Sequence, residues 1–179
     1  YLIWVLVKSL LVIAFLSPFY MNKLKKKIII DNLRFYIDFR KFKIVIIIFI
    51  ISLFIQLKFT NRFIYNIPHT RTSILGFVLG SVIIAPLLEE IFFRGYISGL
   101  FIDFLKLNYK KILFYLINLI QVGLFVILHI LTSTHRSIGS LIVDGLILTL
   151  IYYYSKKNIL APLLYHSLMN LSVLIISFI

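Results

Sequence analysis

Residues 87–95 read Leu87-Leu88-Glu89-Glu90-Ile91-Phe92-Phe93-Arg94-Gly95 and stand at the end of a strongly apolar run, residues 74–86. Two adjacent carboxylates and an arginine therefore lie where a membrane-spanning helix is expected. Such groups cost roughly 2.5–3.5 kcal/mol each at a helix centre, so they are rarely there without a functional or pairing reason. We interpret this stretch as half of an active site. The other half is Phe125-x-x-x-His129 and His166-x-x-x-Asn170, both also in apolar runs.

The composition indicates an integral membrane protein. Of its 179 residues, 61% are hydrophobic, whereas soluble domains have about 45–50% apolar residues. The chain has no cysteine, which excludes disulfides and thiolate metal sites. Its formal net charge is +13, and most of the basic residues lie in short segments between apolar runs. The positive-inside rule and anionic lipid headgroups explain that pattern, so we expect the lipid bilayer, and no nucleic acid, as a partner.

The apolar runs predict an all-α fold, a polytopic transmembrane helix bundle of about six spans with its active site inside the membrane. The predicted spans are residues 2–19, 44–57, 74–93, 112–131, 138–154 and 159–179. We divide the chain into N-terminal spans with a basic interfacial segment, residues 1–73, and a catalytic core, residues 74–179. The basic segment, residues 23–43, has some helical amphipathicity and is expected on the cytoplasmic headgroups, through Leu33, Tyr36, Ile37, Phe39 and Arg40.

Basic residues are more numerous in the first, third and fifth connections between these spans than in the second and fourth. The odd connections are therefore predicted to be cytoplasmic, with both ends of the chain outside. If Glu89 and His129 are to lie side by side, they must be at the same depth in the membrane. Either the third helix runs past Arg94 towards Leu105, or the fourth helix starts deeper in the membrane than Lys111. We expect the first.

Glu90 and Arg94 stand four residues apart and can pair on one helical face. Pairing lowers the cost of both charges and leaves Glu89, about 100° round the helix, free for another role. Pro86 should kink the helix or loosen its hydrogen bonding one turn before Glu89, which frees carbonyl groups and makes room for water.

The polar groups on the later helices suit water-mediated hydrolysis. A carboxylate with a histidine such as His129 can deprotonate water, or together with a metal can bind and acidify it. His166 and Asn170 can donate to the oxyanion of a tetrahedral intermediate. Each group also has a non-catalytic interpretation, since intramembrane His and Asn often form interhelical hydrogen bonds, and a Glu-Arg pair can lock helices or mark a proton relay. Asp144 is expected to be a paired structural residue.

The order Glu89-Glu90-x-x-x-Arg94-Gly95, Phe125-x-x-x-His129 and His166-x-x-x-Asn170 resembles the CPBP family of intramembrane proteases. This family is also called the CAAX protease and bacteriocin-processing (Abi) family. The resemblance covers residues 74–171, with order and spacing in agreement. A single Glu-Glu-x-x-x-Arg would be a weak signal, whereas three motifs on three apolar segments are a strong one.

The resemblance implies a role for each motif residue. Glu89 would be the general base that activates water, with His129 beside it. Glu90 would pair with Arg94 and shape the site.

The last motif would supply His166 and Asn170, which would bind the oxyanion or help to hold the water or a metal. The family is regarded as metalloproteases, so a divalent metal such as zinc is a candidate cofactor, and a metal-free glutamate mechanism is the alternative. The sequence has no His-Glu-x-x-His helix. A zinc site would therefore be assembled across helices, with His129, His166 and Glu89 as candidate ligands.

These observations predict an intramembrane metalloprotease-like endopeptidase that hydrolyses a peptide bond of a peptide or membrane-associated protein substrate by Glu/His-activated water. The composition, rich in Ile, Lys, Asn, Phe and Tyr, is typical of an AT-rich bacterial genome, so the expected location is a bacterial plasma membrane. The alternative is a non-catalytic bacteriocin self-immunity or scaffold membrane protein of the same fold. A transporter that uses Glu89 or Glu90 as proton carrier ranks last, because the sequence shows no internal repeat.

Overall fold

The computed structural model describes residues 35, 36, 38–59, 75, 76, 78–104, 111–132 and 137–176. Five helices hold most of these residues: α1 (Phe39–Phe59), α2 (78–104), α3 (Lys111–Thr132), α4 (Ile138–Tyr154) and α5 (Leu160–Ile176). The all-α prediction is confirmed for this part of the chain. The predicted first span, residues 2–19, lies outside it.

The helix boundaries follow the apolar runs most closely in the second half of the chain. α3 and α4 begin and end within one residue of the predicted spans, and α5 begins one residue later than predicted. α1 begins earlier than the predicted second span, so Lys41 and Lys43 belong to it. Phe35 and Tyr36 are not helical, so the predicted helical amphipathicity does not extend over them. Measured against the length and apolar composition of a membrane span, every helix in the described ranges falls short.

Two helices begin at side-chain caps that satisfy free backbone N–H groups. Before α1, the Asp38 carboxylate accepts a hydrogen bond from the Lys41 backbone N–H at 3.3 Å. Before α4, the Ser137 hydroxyl accepts one from the Ser140 backbone N–H at 3.2 Å. Asp and Ser are among the preferred residues at this position because their short side chains reach the first turn. These caps fix where α1 and α4 begin.

α2 carries the two glutamates and changes its winding along its length. Val78–Ile84 and Ile91–Phe104 are π-helical, and Ala85–Glu90 between them is α-helical. Ile84 and Ile91 at the two junctions keep right-handed helical backbone angles, so the chain passes through without a break. The expectation that the third helix runs past Arg94 is therefore confirmed. π-Helical turns are rare and occur mostly at functional sites.

The helices pack around the middle of the bundle. α1 packs on α5, α3 packs on α4, and α4 also packs on α5. The first two segments of α2 pack on α5, and its last segment packs on α3. α2 is thus held between the helices that carry the two histidines. The buried core draws on all five helices, with Val45, Phe93, Ile97, Val122, Phe125, Val126, Leu141, Leu148, Ile151, Ala161, Tyr165 and Met169.

The segment before α1 is tied to the turn between α4 and α5. The Asn158 side chain donates to the Tyr36 backbone carbonyl at 2.7 Å. The Tyr36 hydroxyl donates to the Ser155 carbonyl at 2.9 Å. Asn158 and Ser155 are fully buried. The first and fifth connections therefore lie at one end of the bundle, as their basic residues predicted.

Candidate active site

Glu90 and Arg94 form the buried ion pair that their spacing predicted. Arg94 Nη1 donates to Glu90 Oε1 at 3.1 Å, and both side chains are almost completely buried. His166 Nδ1 lies 3.0 Å from the same carboxylate oxygen. Glu90 thus joins two helices, because one oxygen accepts from an arginine on α2 and a histidine on α5. The contact with His166 could not be predicted from the spacing within α2.

Glu89 lies at the meeting point of the two histidines. Its Oε2 is 3.7 Å from His129 Nε2 and 3.7 Å from His166 Nε2. The Glu89 side chain is 20% exposed, whereas that of Glu90 is fully buried. Glu89 is therefore the more accessible of the two carboxylates, which agrees with the role that the resemblance implies for it.

Both histidine rings are oriented through their Nδ1 atoms. His129 Nδ1 is 2.9 Å from the Phe125 carbonyl, which can only accept, so Nδ1 donates to it. His166 Nδ1 faces the Glu90 carboxylate and donates to it in the same way. Both Nε2 atoms then face Glu89.

Glu89 Oε2 and the two Nε2 atoms therefore converge on one point. Within the described ranges, no donor lies at hydrogen-bond distance from Glu89 Oε2. The separations of 3.7 Å are too long for a direct hydrogen bond. The structure thus brings one carboxylate and two imidazoles, from three helices, to the same place.

The same three residues fit a divalent metal. One ligand atom from each of Glu89, His129 and His166 lies within 4.8 Å of the others. Two ligands of one tetrahedral zinc ion stand about 3.4 Å apart, given metal–ligand distances near 2.1 Å. Each histidine also donates its other ring N–H to a carbonyl or carboxylate, as metal-binding histidines usually do. Two histidines and a glutamate form a common donor set for catalytic zinc.

Asn170 ties α5 to α2 eight residues before Glu89. Its side-chain N–H₂ donates to the Ser81 carbonyl at 2.8 Å. In a π-helix each backbone N–H bonds the carbonyl five residues before it, so the N–H of residue 86 would bond the Ser81 carbonyl. Residue 86 is a proline, which has no N–H. The carbonyl that the sequence predicted Pro86 would free is therefore satisfied by Asn170. This contact fixes the approach of α5 to the segment that carries Glu89.

Phe125 supports the histidines by packing. Its ring lies 4.1 Å from the His129 ring and 6.0 Å from the His166 ring, measured between centroids. Gly145 on α4 leaves room for it, since a Cβ there would come within 3.3 Å of Phe125 and 3.1 Å of Val122. The close approach of α3 and α4 at Gly145 therefore holds Phe125 against the site.

Comparison with known families agrees with this geometry. Residues 71–172 match the family described as type II CAAX prenyl endopeptidase Rce1-like. The chain belongs to this family. All six motif residues fall within the matched range. Comparisons with curated proteins and with solved structures each gave no match.

Membership in this CAAX endopeptidase family identifies the chain, at the level of the family, as a protease. The family is membrane-associated. The matched range begins shortly before α2 and ends within α5, so it includes every helix that contributes to the site and leaves out α1.

Two contacts in this CAAX endopeptidase family member were missed by sequence reasoning. Tyr152 belongs to a run of three tyrosines at the end of α4, yet it is fully buried and its hydroxyl donates to the Arg94 carbonyl at 3.3 Å. Ser98 donates to Gln121 at 2.7 Å between α2 and α3. A tyrosine among three in a row gives no signal that one is buried. Asp144 accepts from the buried Tyr165 hydroxyl at 3.4 Å, in keeping with the structural role expected for it.

Proposed function

We propose that the chain is an intramembrane endopeptidase that hydrolyses a peptide bond of a peptide or membrane-associated protein substrate. The observation that carries the proposal is the convergence of Glu89 Oε2 and the two histidine Nε2 atoms, which lie within 4.8 Å of one another. A water bound beside them can donate one proton to Glu89 and the other to a histidine. Glu89 is the general base of the reaction.

The proposed step begins with the water molecule between Glu89 and His129. Glu89 accepts a proton from that water while the oxygen attacks the carbonyl carbon of the scissile bond. The carbonyl oxygen becomes an oxyanion, to which the Asn170 side chain donates, while His166 helps to hold the water. Collapse of the intermediate breaks the C–N bond, and the proton held by Glu89 passes to the leaving amine.

Glu90 and Arg94 support this step without contacting the substrate. Their buried pair holds His166 Nδ1 at 3.0 Å, which fixes the ring so that Nε2 faces Glu89. A divalent metal such as zinc would be held by Glu89, His129 and His166, and it would lower the pKa of its bound water to about 7. The metal-free and metal-assisted mechanisms use the same three residues, and only the second should be inhibited by a chelator.

The surface of the bundle supports a membrane location. Large apolar side chains are exposed along α1, α3 and α4, whereas the charged pair and the histidine of α5 are buried. Soluble monomers rarely expose contiguous apolar surface of this kind. A polytopic arrangement with the site inside the bilayer therefore accounts for the distribution of polar and apolar groups. A bacterial plasma membrane is the location that we propose.

The proposal is tested with the full chain in native membranes and a library of short hydrophobic peptides, read by mass spectrometry. We expect cleavage by the wild type and by Asp38→Asn, which removes a carboxylate outside the site. Glu89→Gln and His129→Ala should each lower the rate by about 10²–10⁴. Cleavage by Glu89→Gln at the wild-type rate would exclude it as the base. Adding a chelator to the wild type then separates the metal-assisted from the metal-free form.

A further inference from the structure

A cluster of basic side chains lies at the end of the bundle where the first and fifth connections meet. The first turn of α1 contributes Arg40, Lys41 and Lys43, and the turn after α4 contributes Lys156 and Lys157. The Tyr36 hydroxyl joins the two groups, since it accepts from Lys41 Nζ at 3.4 Å and donates to the Ser155 carbonyl at 2.9 Å.

Asp38 pairs with Lys41 in this cluster and neutralises part of its charge. Asp38 lies 3.4 Å from Lys41 Nζ, and its side chain is 29% exposed. Partial desolvation lowers the pKa of Lys41, but its hydrogen bonds to Tyr36 and Asp38 outweigh this and raise the pKa above its ordinary value. Lys41 therefore stays protonated, and the described side chains at this end carry a clear excess of positive charge.

An apolar groove between α1 and α4 opens beside the cluster. Its volume is about 370 Å³, at the low end of the range of roughly 300–1,000 Å³ for small-molecule sites. Its walls are Ile44, Val45, Ile48, Ile147, Leu150, Ile151 and Tyr154.

The basic cluster and the groove form one continuous surface. On α1, Arg40, Ile44 and Ile48 follow each other at intervals of four, so Arg40 lies on the same helical face as the groove, one turn before it. On α4, the groove ends at Tyr154, immediately before the turn that carries Lys156 and Lys157. Positive charge therefore stands at the mouth of an apolar groove on both of its walls.

The backbone of the lysine turn is a second, independent observation. Lys156 and Lys157 have φ angles of +57° and +63°, in the left-handed region that non-glycine residues adopt rarely. The turn is held there by buried neighbours: the Ser155 hydroxyl lies within hydrogen-bond distance of the Tyr152 and Asn158 carbonyls. Glycine or asparagine would adopt these angles more easily. Strained backbone of this kind clusters at functional sites, so the two lysines of this turn are candidates for a binding role.

We propose that the basic cluster and the groove bind one molecule of an anionic phospholipid. The phosphate lies against Arg40, Lys156 and Lys157, and an acyl chain occupies the groove between α1 and α4. Basic pockets between membrane helices bind anionic headgroups. An apolar groove that begins at such a pocket suits the acyl chain of the same lipid. The inference rests on the membrane location in the proposed function and is independent of the chemistry at Glu89.

The test uses the full chain in nanodiscs that contain equal amounts of phosphatidylglycerol and phosphatidylcholine. Lipids that stay bound when the disc is removed are measured by native mass spectrometry. We expect the wild type to retain one phosphatidylglycerol in preference to phosphatidylcholine. Because each lysine near an anionic surface contributes roughly a five-fold factor, Lys156→Asn with Lys157→Asn should reduce that preference on the order of twenty-fold. Lys58→Gln, at the other end of α1, should leave it unchanged.

The asparagine variant separates charge from folding. Asparagine tolerates positive φ, so the midpoint of thermal unfolding should stay the same or rise while the lipid preference falls.

A second pair of variants tests the groove. Ile48→Trp should fill it and displace the lipid, whereas Ile50→Trp, at an exposed position outside the groove, should not. A wild type without preference for phosphatidylglycerol, or an asparagine variant that keeps it, would overturn the inference. Extraction of the chain from membranes by carbonate would instead contradict the membrane location itself.

Discussion

Two adjacent glutamates have opposite surroundings in α2. Glu90 is fully buried and accepts from Arg94 and His166, whereas Glu89 is partly exposed and faces two histidine Nε2 atoms. Adjacent residues on a helix point about 100° apart, so one carboxylate can face the interior while the other faces the site. The difference between them gives two opposite expectations for stability.

Glu89→Gln should leave the free energy of unfolding unchanged or raise it, because the Glu89 side chain is partly exposed and its Oε2 accepts no hydrogen bond from the described residues. Glu90→Gln should lower it by about 3 kcal/mol, because the buried Arg94 loses its counter-charge. Thermal unfolding of both variants in the same detergent measures the difference. The roles assigned here would be contradicted if Glu89→Gln were the less stable protein.

The three-residue donor set should bind one zinc ion per chain, measured by metal analysis of the purified protein. His129→Ala removes one ligand and should reduce the bound metal to well below half. His135→Ala is the matched control, since it removes a histidine to which the sequence assigns no role. Equal metal content in the wild type and in His129→Ala would show that the metal is bound elsewhere, and the metal-free mechanism would then be favoured.

At the scale of the element, the junction between Pro86 and Asn170 explains why α2 can change its winding. Proline leaves Ser81 O without its π-helical partner, and the Asn170 side chain donates to it at 2.8 Å. The sequence predicted the free carbonyl but not its donor. Asn170 is 89 positions away, and no local pattern shows which helix lies beside Ser81.

Asn170→Ala should therefore lower the free energy of unfolding by about 1–2 kcal/mol, because a partly buried carbonyl loses its partner. The same substitution should cost less in a Pro86→Ala background, where residue 86 regains an N–H that can bond Ser81 O. A double-mutant cycle on thermal stability measures the coupling. Additive losses would show that Asn170 stabilises the fold through other contacts.

Gly145 on α4 lies against Val122 and Phe125 of α3. Gly145→Ala would place a methyl group 3.1 Å from Val122 and 3.3 Å from Phe125, and overpacking of this kind costs about 1–3 kcal/mol. Because the Phe125 ring packs on His129, cleavage should fall together with stability. Gly123→Ala in α3 is the control, since open space surrounds it. Unchanged stability and cleavage in Gly145→Ala would show that α3 and α4 can separate freely.

At the scale of the whole molecule, the sequence predicted more of the architecture than of its contacts. The apolar runs gave the boundaries of α3 and α4, and the need for Glu89 to reach His129 predicted that α2 passes Arg94. The i,i+4 spacing predicted the pair of Glu90 with Arg94, because that contact is local. Contacts between distant residues carry no such periodic signal.

The hydrogen bond between Asn158 and Tyr36 is one of the distant contacts that the sequence did not predict. Counting basic residues placed the first and fifth connections on one side, but this bond joins uncharged residues that are 122 positions apart. Similarly, the bond from His166 to Glu90 depends on how α5 docks on α2. The sequence supplied the six residues of the candidate site, whereas packing decides which carboxylate each histidine meets.

The cleavage rate of the full chain carrying Glu89→Gln, His129→Ala or both is the most direct measurement of a single hydrolytic centre. Groups that act together on one water are not additive, so the double variant should be no slower than the slower single variant. Asp38→Asn in the same membranes controls for expression and insertion. If the losses of the two single variants multiply in the double variant, Glu89 and His129 act independently, and a shared water between them is contradicted.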